Sequence, residues 1–108
     1  MLVSVIITTY NSEKFITRAL ESVFLQSYKK FEVIVVDDCS SDETINILQK
    51  YKKKIFIIKK IINSGPANSR NLGIKHSKGD LICFLDSDDY WMKNKLEKQV
   101  AYANSYPE

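Results

Sequence analysis

Four short apolar runs, Val3–Thr9, Phe31–Val36, Ile55–Ile58 and Leu81–Leu85, recur along the chain, and each gap between them carries helical periodicity. Val3–Thr9 is uncharged and rich in β-branched residues, as expected of a strand covered on both faces. Strands alternating with helices predict βαβ units with right-handed crossovers, and hence a parallel sheet between two helical layers. The expected fold class is α/β, a Rossmann-like three-layer sandwich with a mainly parallel sheet of about four strands.

Start and stop signals punctuate the gaps. Asn11 or Ser12 is placed to cap a helix that presents Phe15, Ile16, Ala19, Leu20, Val23 and Phe24 on one face. Ser40-Ser41-Asp42-Glu43 reads as a capping box, with Ser40 and Glu43 the reciprocal pair, before a helix with Ile45, Leu48 and Tyr51 inward. Asn63-Ser64-Gly65-Pro66 predicts a turn with Pro66 at the first helical position, a helix to about Ser77, and Gly79 as a left-handed terminus. Lys93–Asn104 forms the last helix, with Leu96, Val100 and Ala103 inward. No repeat, linker or low-complexity segment interrupts the pattern.

Two of the apolar runs end in clustered acids, Asp37-Asp38 and Asp86-Ser87-Asp88-Asp89. Carboxylates this close repel one another unless a cation shares them, and hard divalent ions select such oxygens. Parallel sheets bind ligands outside the carboxyl ends of their strands, near the topological switch point. Thr8-Thr9-Tyr10-Asn11, Asp37-Asp38 and Asp86–Asp89 are therefore expected to converge on one crevice. Carboxylates accept hydrogen bonds from base N–H groups or ribose hydroxyls, and aspartate-held Mg²⁺ or Mn²⁺ bridges phosphate oxygens. That chemistry suits a nucleoside diphosphate. Helix capping accounts for one of Asp37 and Asp38 but not both; the bland alternative for Asp86–Asp89 is a solvated turn. Neither a Gly-x-Gly-x-x-Gly nor a phosphate-binding Gly-x-x-x-x-Gly-Lys loop occurs, so phosphate neutralisation falls to the metal, helped by Arg70. With no Gly-x-Ser-x-Gly elbow and His76 the only histidine, a serine nucleophile is not supported.

At 108 residues the chain is one small domain or part of a larger one. A net charge of +3, from 16 basic and 13 acidic residues, is too mild to indicate nucleic acid as the partner. Lys52-Lys53-Lys54 and Lys59-Lys60 read as a solvated rim. Cys39 and Cys83 are the only cysteines; without a cleavable signal segment they read as free thiols in a reducing compartment, Cys83 as a small core residue. No apolar stretch approaches the ~20 residues a bilayer span needs. The expected location is cytoplasmic, with peripheral association at the inner face of the membrane as the variant.

Four segments carry a family resemblance: Ser4-Val5-Ile6-Ile7-Thr8-Thr9-Tyr10-Asn11; Val33-Ile34-Val35-Val36-Asp37-Asp38-Cys39-Ser40-Ser41-Asp42; Asn63-Ser64-Gly65-Pro66-Ala67-Asn68-Ser69-Arg70-Asn71-Leu72-Gly73; and Gly79-Asp80 leading to Phe84-Leu85-Asp86-Ser87-Asp88-Asp89. In order and spacing they resemble the family 2 glycosyltransferases over nearly the whole chain. The resemblance implies a GT-A fold, a nucleotide-sugar donor with uridine as the family preference, Mg²⁺ or Mn²⁺, and inversion at the anomeric carbon. It places Thr8, Tyr10 and Asp38 against base and ribose, with Thr9 and Asp37 beside them. Arg70 would help hold the nucleotide, Asp86 would lie against the ribose or the metal shell, and Asp88 would bind the metal. Cys39 stands where glycine or asparagine is common.

Family members continue past the point where this sequence stops. Residues 1–108 are thus expected to be the nucleotide-sugar-binding portion, with the general base and the glycan or glycolipid acceptor site in an absent part and little activity alone. By analogy the parent enzyme serves surface polysaccharide or lipooligosaccharide assembly. An uncovered sheet edge would favour a homodimer. Two rivals are a non-catalytic nucleotide-binding module and a receiver-like signalling domain. The latter needs an acid pair after the first strand and an aspartate after the third, where this chain has Thr8-Thr9-Tyr10 and no acid.

Overall fold

The computed structural model describes residues 1–106. Its elements run β1 (Val3–Thr9), α1 (Ile16–Phe24), β2 (Phe31–Asp37), α2 (Thr44–Gln49), β3 (Phe56–Lys59), α3 (Pro66–His76), β4 (Leu81–Asp86) and α4 (Lys95–Ser105). The sheet has the order β3-β2-β1-β4, and every pairing is parallel. From β1 the chain steps outward through β2 and β3, then crosses back to place β4 on the far side of β1. Right-handed crossovers in opposite directions must lie on opposite faces, and the reversal creates a switch point beside β1.

Side chains alternate across the pleat, so β1 feeds two cores. Val3, Val5 and Ile7 pack with Val33, Val35, Leu20, Val23, Leu48, Leu96 and Val100, the layer holding α1, α2 and α4. Ile6, Ile34 and Val36 form the smaller core against Leu72 of α3. All of β1 from Val3 to Ile7 is buried, which is why its sequence shows an unbroken apolar run apart from Ser4. Ser4 is hydrogen-bonded instead, its hydroxyl donating to Glu32 Oε2 (2.5 Å) and accepting from the Gly79 N–H (2.7 Å).

Several local expectations are corrected. Neither Asn11 nor Ser12 caps α1 with its side chain; the Ser12 carbonyl accepts from the N–H groups of Phe15 and Ile16, and the helix starts later. Phe15 is exposed rather than inward. The capping box does not form. Asp42 Oδ1 accepts from the Thr44 N–H and hydroxyl, an Asx turn that opens α2, while Glu43 pairs with Asn46 and Ser40 turns to Asp37. Gly79 is not left-handed: among the described residues the only glycine with positive φ is Gly65. What requires glycine at 79 is proximity, since a Cβ there would lie 2.5 Å from Ser4 Oγ and 2.6 Å from the Ser4 backbone nitrogen. Backbone cannot step aside, so Gly79→Ala is expected to cost about 2 kcal/mol, read as a lowered urea midpoint with unchanged slope.

No helix among the described residues is long and apolar enough to cross a membrane. Both cysteines are free thiols, Cys39 exposed and Cys83 buried, and burial pushes the Cys83 thiol above its ordinary pKa.

Candidate functional site

The in-register pairing sets the carboxyl ends of the strands side by side: Thr9 is level with Asp37 on β2, and Thr8 with Asp86 on β4. Above them opens a cavity of about 620 Å³, within the range of small-molecule sites. Thr8 and Thr9 at the end of β1, Tyr10 just after it, Asp38 just after β2, Asp86 at the end of β4 and Asp88 beyond it all line it, so the three loops converge as expected. Two contributions were not legible beforehand. Ser12 and Phe15 extend the β1 wall beyond the expected Asn11, and Asn63 and Gly65 before α3, with Pro66 and Ser69 in its first turn, add a further wall. The second group also follows a strand's carboxyl end, which was the available signal for it.

Adjacent residues at a strand end face opposite ways, and the two acids of β2 divide accordingly. Asp37 is fully buried and does not line the cavity, a correction to its placement beside the nucleotide. Its Oδ1 accepts from the Thr9 and Ser40 hydroxyls (2.6 Å each), and its Oδ2 from the Ser40 N–H at 2.9 Å. The Thr9 side chain is committed to that same contact. Asp37 thus ties β1 to the loop after β2.

Asp38 faces the cavity under tight control. Its Oδ1 accepts from Lys60 Nζ at 2.7 Å and from the Ser64 N–H at 2.9 Å, and its Oδ2 from the Gly65 N–H at 3.0 Å. Both side chains of the ion pair are nearly buried, 8% exposed for Lys60 and 7% for Asp38. Lys60 is therefore no part of a solvated rim, contrary to its reading as one of a lysine cluster. Gly65 sits at φ 94, a backbone state that strains any other residue, and this bend presents its N–H to Asp38.

Burial pushes the Asp38 pKa up, but the Lys60 bond and charge and the two N–H donors outweigh it and hold the carboxyl below its ordinary 3.8. Asp42 is likewise depressed: burial raises it, and bonds from Thr44 and the Glu13 N–H more than compensate. A depressed folded-state pKa contributes stability that is complete above the unfolded value and lost as pH falls through the folded one. The urea midpoint is thus expected to hold level from pH 7 to about 5 and to fall below that, with Asp38→Asn giving a shallower acid limb.

Ser87, between Asp86 and Asp88, shares a 2.6 Å hydrogen bond with Ser12, so the acidic loop is clipped to the β1 wall. Arg18 of α1 holds the same loop from outside, donating to the Asp88 carbonyl at 3.1 Å and lying 4.6 Å over the Tyr90 ring. The Asp86 and Asp88 side chains are exposed and accept no hydrogen bond from a described residue. Arg70 does not reach the cavity. It lines a smaller neighbouring one of about 340 Å³ with Phe84, Leu85, Asp89 and Trp91, and Asp86 is the wall common to both. Among the described residues, Asn11 at φ 47, which lines the cavity, and Cys39 at φ 66, next to Asp38 in sequence, are the non-glycine residues with positive φ. Glycine or asparagine would occupy position 39 with less strain.

A doubly wound parallel sheet whose switch point opens into a hydroxyl- and carboxylate-lined cavity defines a ligand-binding α/β domain of the Rossmann type. The sequence matches the profile of glycosyl transferase family 2 over residues 4–108, and the chain belongs to that family. It is similar to the poly(ribitol-phosphate) β-N-acetylglucosaminyltransferase TarS of Staphylococcus aureus, at 41% identity over 98% of this chain and 19% of that protein. The crystal structure of TarS residues 1–349 with UDP-GlcNAc superposes with a TM-score of 0.92 at 42% identity, covering 99% of this chain and 32% of that one. Escherichia coli WfaP, a UDP-Glc:α-D-GlcNAc-diphosphoundecaprenol β-1,3-glucosyltransferase, is 43% identical over 94% of this chain and 41% of its own length. The mannosyltransferase PcManGT of Pyrobaculum calidifontis, solved with GDP-Man and Mn²⁺, matches with a TM-score of 0.88 at 27% identity, over 94% of this chain and 32% of that one. The fold is therefore GT-A, and this chain spans well under half the length of these relatives.

Proposed function

We propose that residues 1–108 are the nucleotide-sugar-binding portion of an inverting glycosyltransferase that moves a sugar from a UDP-sugar to an acceptor hydroxyl in bacterial surface-glycan assembly. One observation carries this reading: Asp38 and Asp88, on loops after different strands, line the same cavity together with Thr8 and Tyr10. WfaP, which uses UDP-Glc, and TarS, solved with UDP-GlcNAc, support the donor class, and their poly(ribitol-phosphate) and diphosphoundecaprenol-linked acceptors support the setting.

Asp38, held as a carboxylate, offers an acceptor to a base N–H or ribose hydroxyl, and Tyr10, half exposed, offers a ring and a phenol at the rim. Asp86 and Asp88 present oxygen-only donors with no competing partner, the set that suits Mg²⁺ or Mn²⁺. A cation held there would neutralise the departing diphosphate. In the reaction an acceptor hydroxyl attacks the anomeric carbon from the face opposite the diphosphate, and the C–O bond to the nucleotide breaks with its electron pair. With Asp86 and Asp88 assigned to the cation and Asp38 paired to Lys60, no acid lining this cavity among the described residues is free to take the acceptor proton. The general base is therefore assigned outside it.

Titration calorimetry of the folded chain with UDP, with and without Mn²⁺, tests the reading. Metal-dependent binding that EDTA weakens about 100-fold is expected; a folded chain that binds no UDP in either condition would overturn it.

A further inference from the structure

Lys60 belongs to no expected site, yet its side chain is nearly buried against Asp38, which lines the cavity. It follows β3 directly, and its Nζ donates both to Asp38 Oδ1 (2.7 Å) and to Ser69 Oγ (3.1 Å) of α3. The Ser69 hydroxyl in turn donates a hydrogen bond to the Gly65 carbonyl at 3.1 Å, so the chain Gly65–Ser69–Lys60–Asp38 joins α3, β3 and β2. Each carboxylate oxygen accepts about two hydrogen bonds. Lys60 and the Ser64 N–H fill Oδ1, and the Gly65 N–H takes half of Oδ2, so one acceptor position on Oδ2 remains.

We infer that Lys60 is a positioning residue for nucleotide recognition: it locks the Asp38 carboxylate in place as an obligate acceptor with a single vacant site, on Oδ2. Any ligand group meeting Asp38 must then bring a donor, an imide N–H or a hydroxyl, and a group with lone pairs alone is repelled. This rests on the nucleotide-binding reading of the cavity. Lys60 supplies the charge that lets a nearly buried carboxylate stay ionised there, and its second bond to Ser69 keeps the ammonium from following a ligand. Asp86 and Asp88, the charged side chains that line the cavity with Asp38, are acidic and would favour its protonation, and Lys60, behind the lining, is the one side-chain cation paired with Asp38 among the described residues.

The test compares the wild-type chain with Lys60→Gln, which keeps an N–H donor but removes the charge, and Lys60→Arg, which restores the charge. Carboxyl ¹³C NMR of the ligand-free protein follows Asp38: below the ordinary 3.8 in wild type and Lys60→Arg, and clearly raised in Lys60→Gln. Calorimetry with UDP and Mn²⁺ is expected to show about tenfold weaker binding for Lys60→Gln at pH 7, with the deficit widening as pH falls, and substantial recovery in Lys60→Arg. A folded Lys60→Gln that matches wild type in UDP affinity and in Asp38 titration overturns the inference. If Lys60→Gln fails to fold, wild type alone decides, because an Asp38 that titrates at or above its ordinary value excludes the role. If wild type binds no UDP, the proposed function falls separately, while the Asp38 titration still reports whether Lys60 governs that carboxylate.

Discussion

Asp37→Ala should unfold far more easily than wild type, losing about 4 kcal/mol and more than about 15 °C in Tm. The carboxylate is inaccessible to solvent and takes three hydrogen bonds, from the Thr9 hydroxyl and from the hydroxyl and N–H of Ser40. Truncation leaves these donors facing a cavity with no replacement acceptor, and an abandoned buried polar group costs more than the bond itself contributed. It also unties β1 from the loop that carries Asp38. Asp37→Asn, which keeps an acceptor oxygen and the volume, should lose roughly half as much. Urea denaturation followed by circular dichroism gives the numbers. A stable Asp37→Ala with weakened UDP binding would instead make this residue a ligand contact.

Asp88→Asn should do the opposite, leaving stability within about 0.5 kcal/mol of wild type because the side chain is exposed and unbonded. In Mn²⁺ its UDP affinity should fall about 100-fold, to the level wild type shows in EDTA, because a neutral amide is a poor ligand for a hard cation. Calorimetric titrations with and without Mn²⁺ measure both terms. A variant whose UDP binding still responds to Mn²⁺ would remove Asp88 from the metal site. Asp86→Asn makes the informative companion, since Asp86 walls both the main cavity and the one lined by Arg70. A smaller loss there would assign it to the ribose side.

The strands were legible almost to the residue. β1 is observed over the expected Val3–Thr9, β2 and β4 each gain one residue, and β3 shifts by one. Their legibility has a simple cause: strands buried on both faces must be apolar throughout, so the run and the element coincide. Helix ends were read less well. Thr44 and Asp42, rather than Ser40 and Glu43, open α2, because Ser40 found a better partner in Asp37 once β1 and β2 were paired. Gly79, in the loop before β4, likewise answers to Ser4 on β1, distant in sequence. No local pattern records such a neighbour.

The profile match and the superpositions carry the family membership and the fold, and the cavity at the carboxyl edge carries the proposed donor site. Within that site the division of labour follows from alternation and from distance along the chain. Period-two and period-3.6 patterning is written into neighbouring residues, so the amino-acid order was enough to specify the alternating elements, the parallel sheet and the acids at its carboxyl edge. It sent both Asp37 and Asp38 to the crevice. Which of them meets the cavity, that Lys60 is buried against Asp38, and that Arg70 lies in the next cavity were set by folding alone. Those outcomes depend on strand register and crossover side, which bring together groups far apart in the chain, and short-range periodicity carries no information about such encounters.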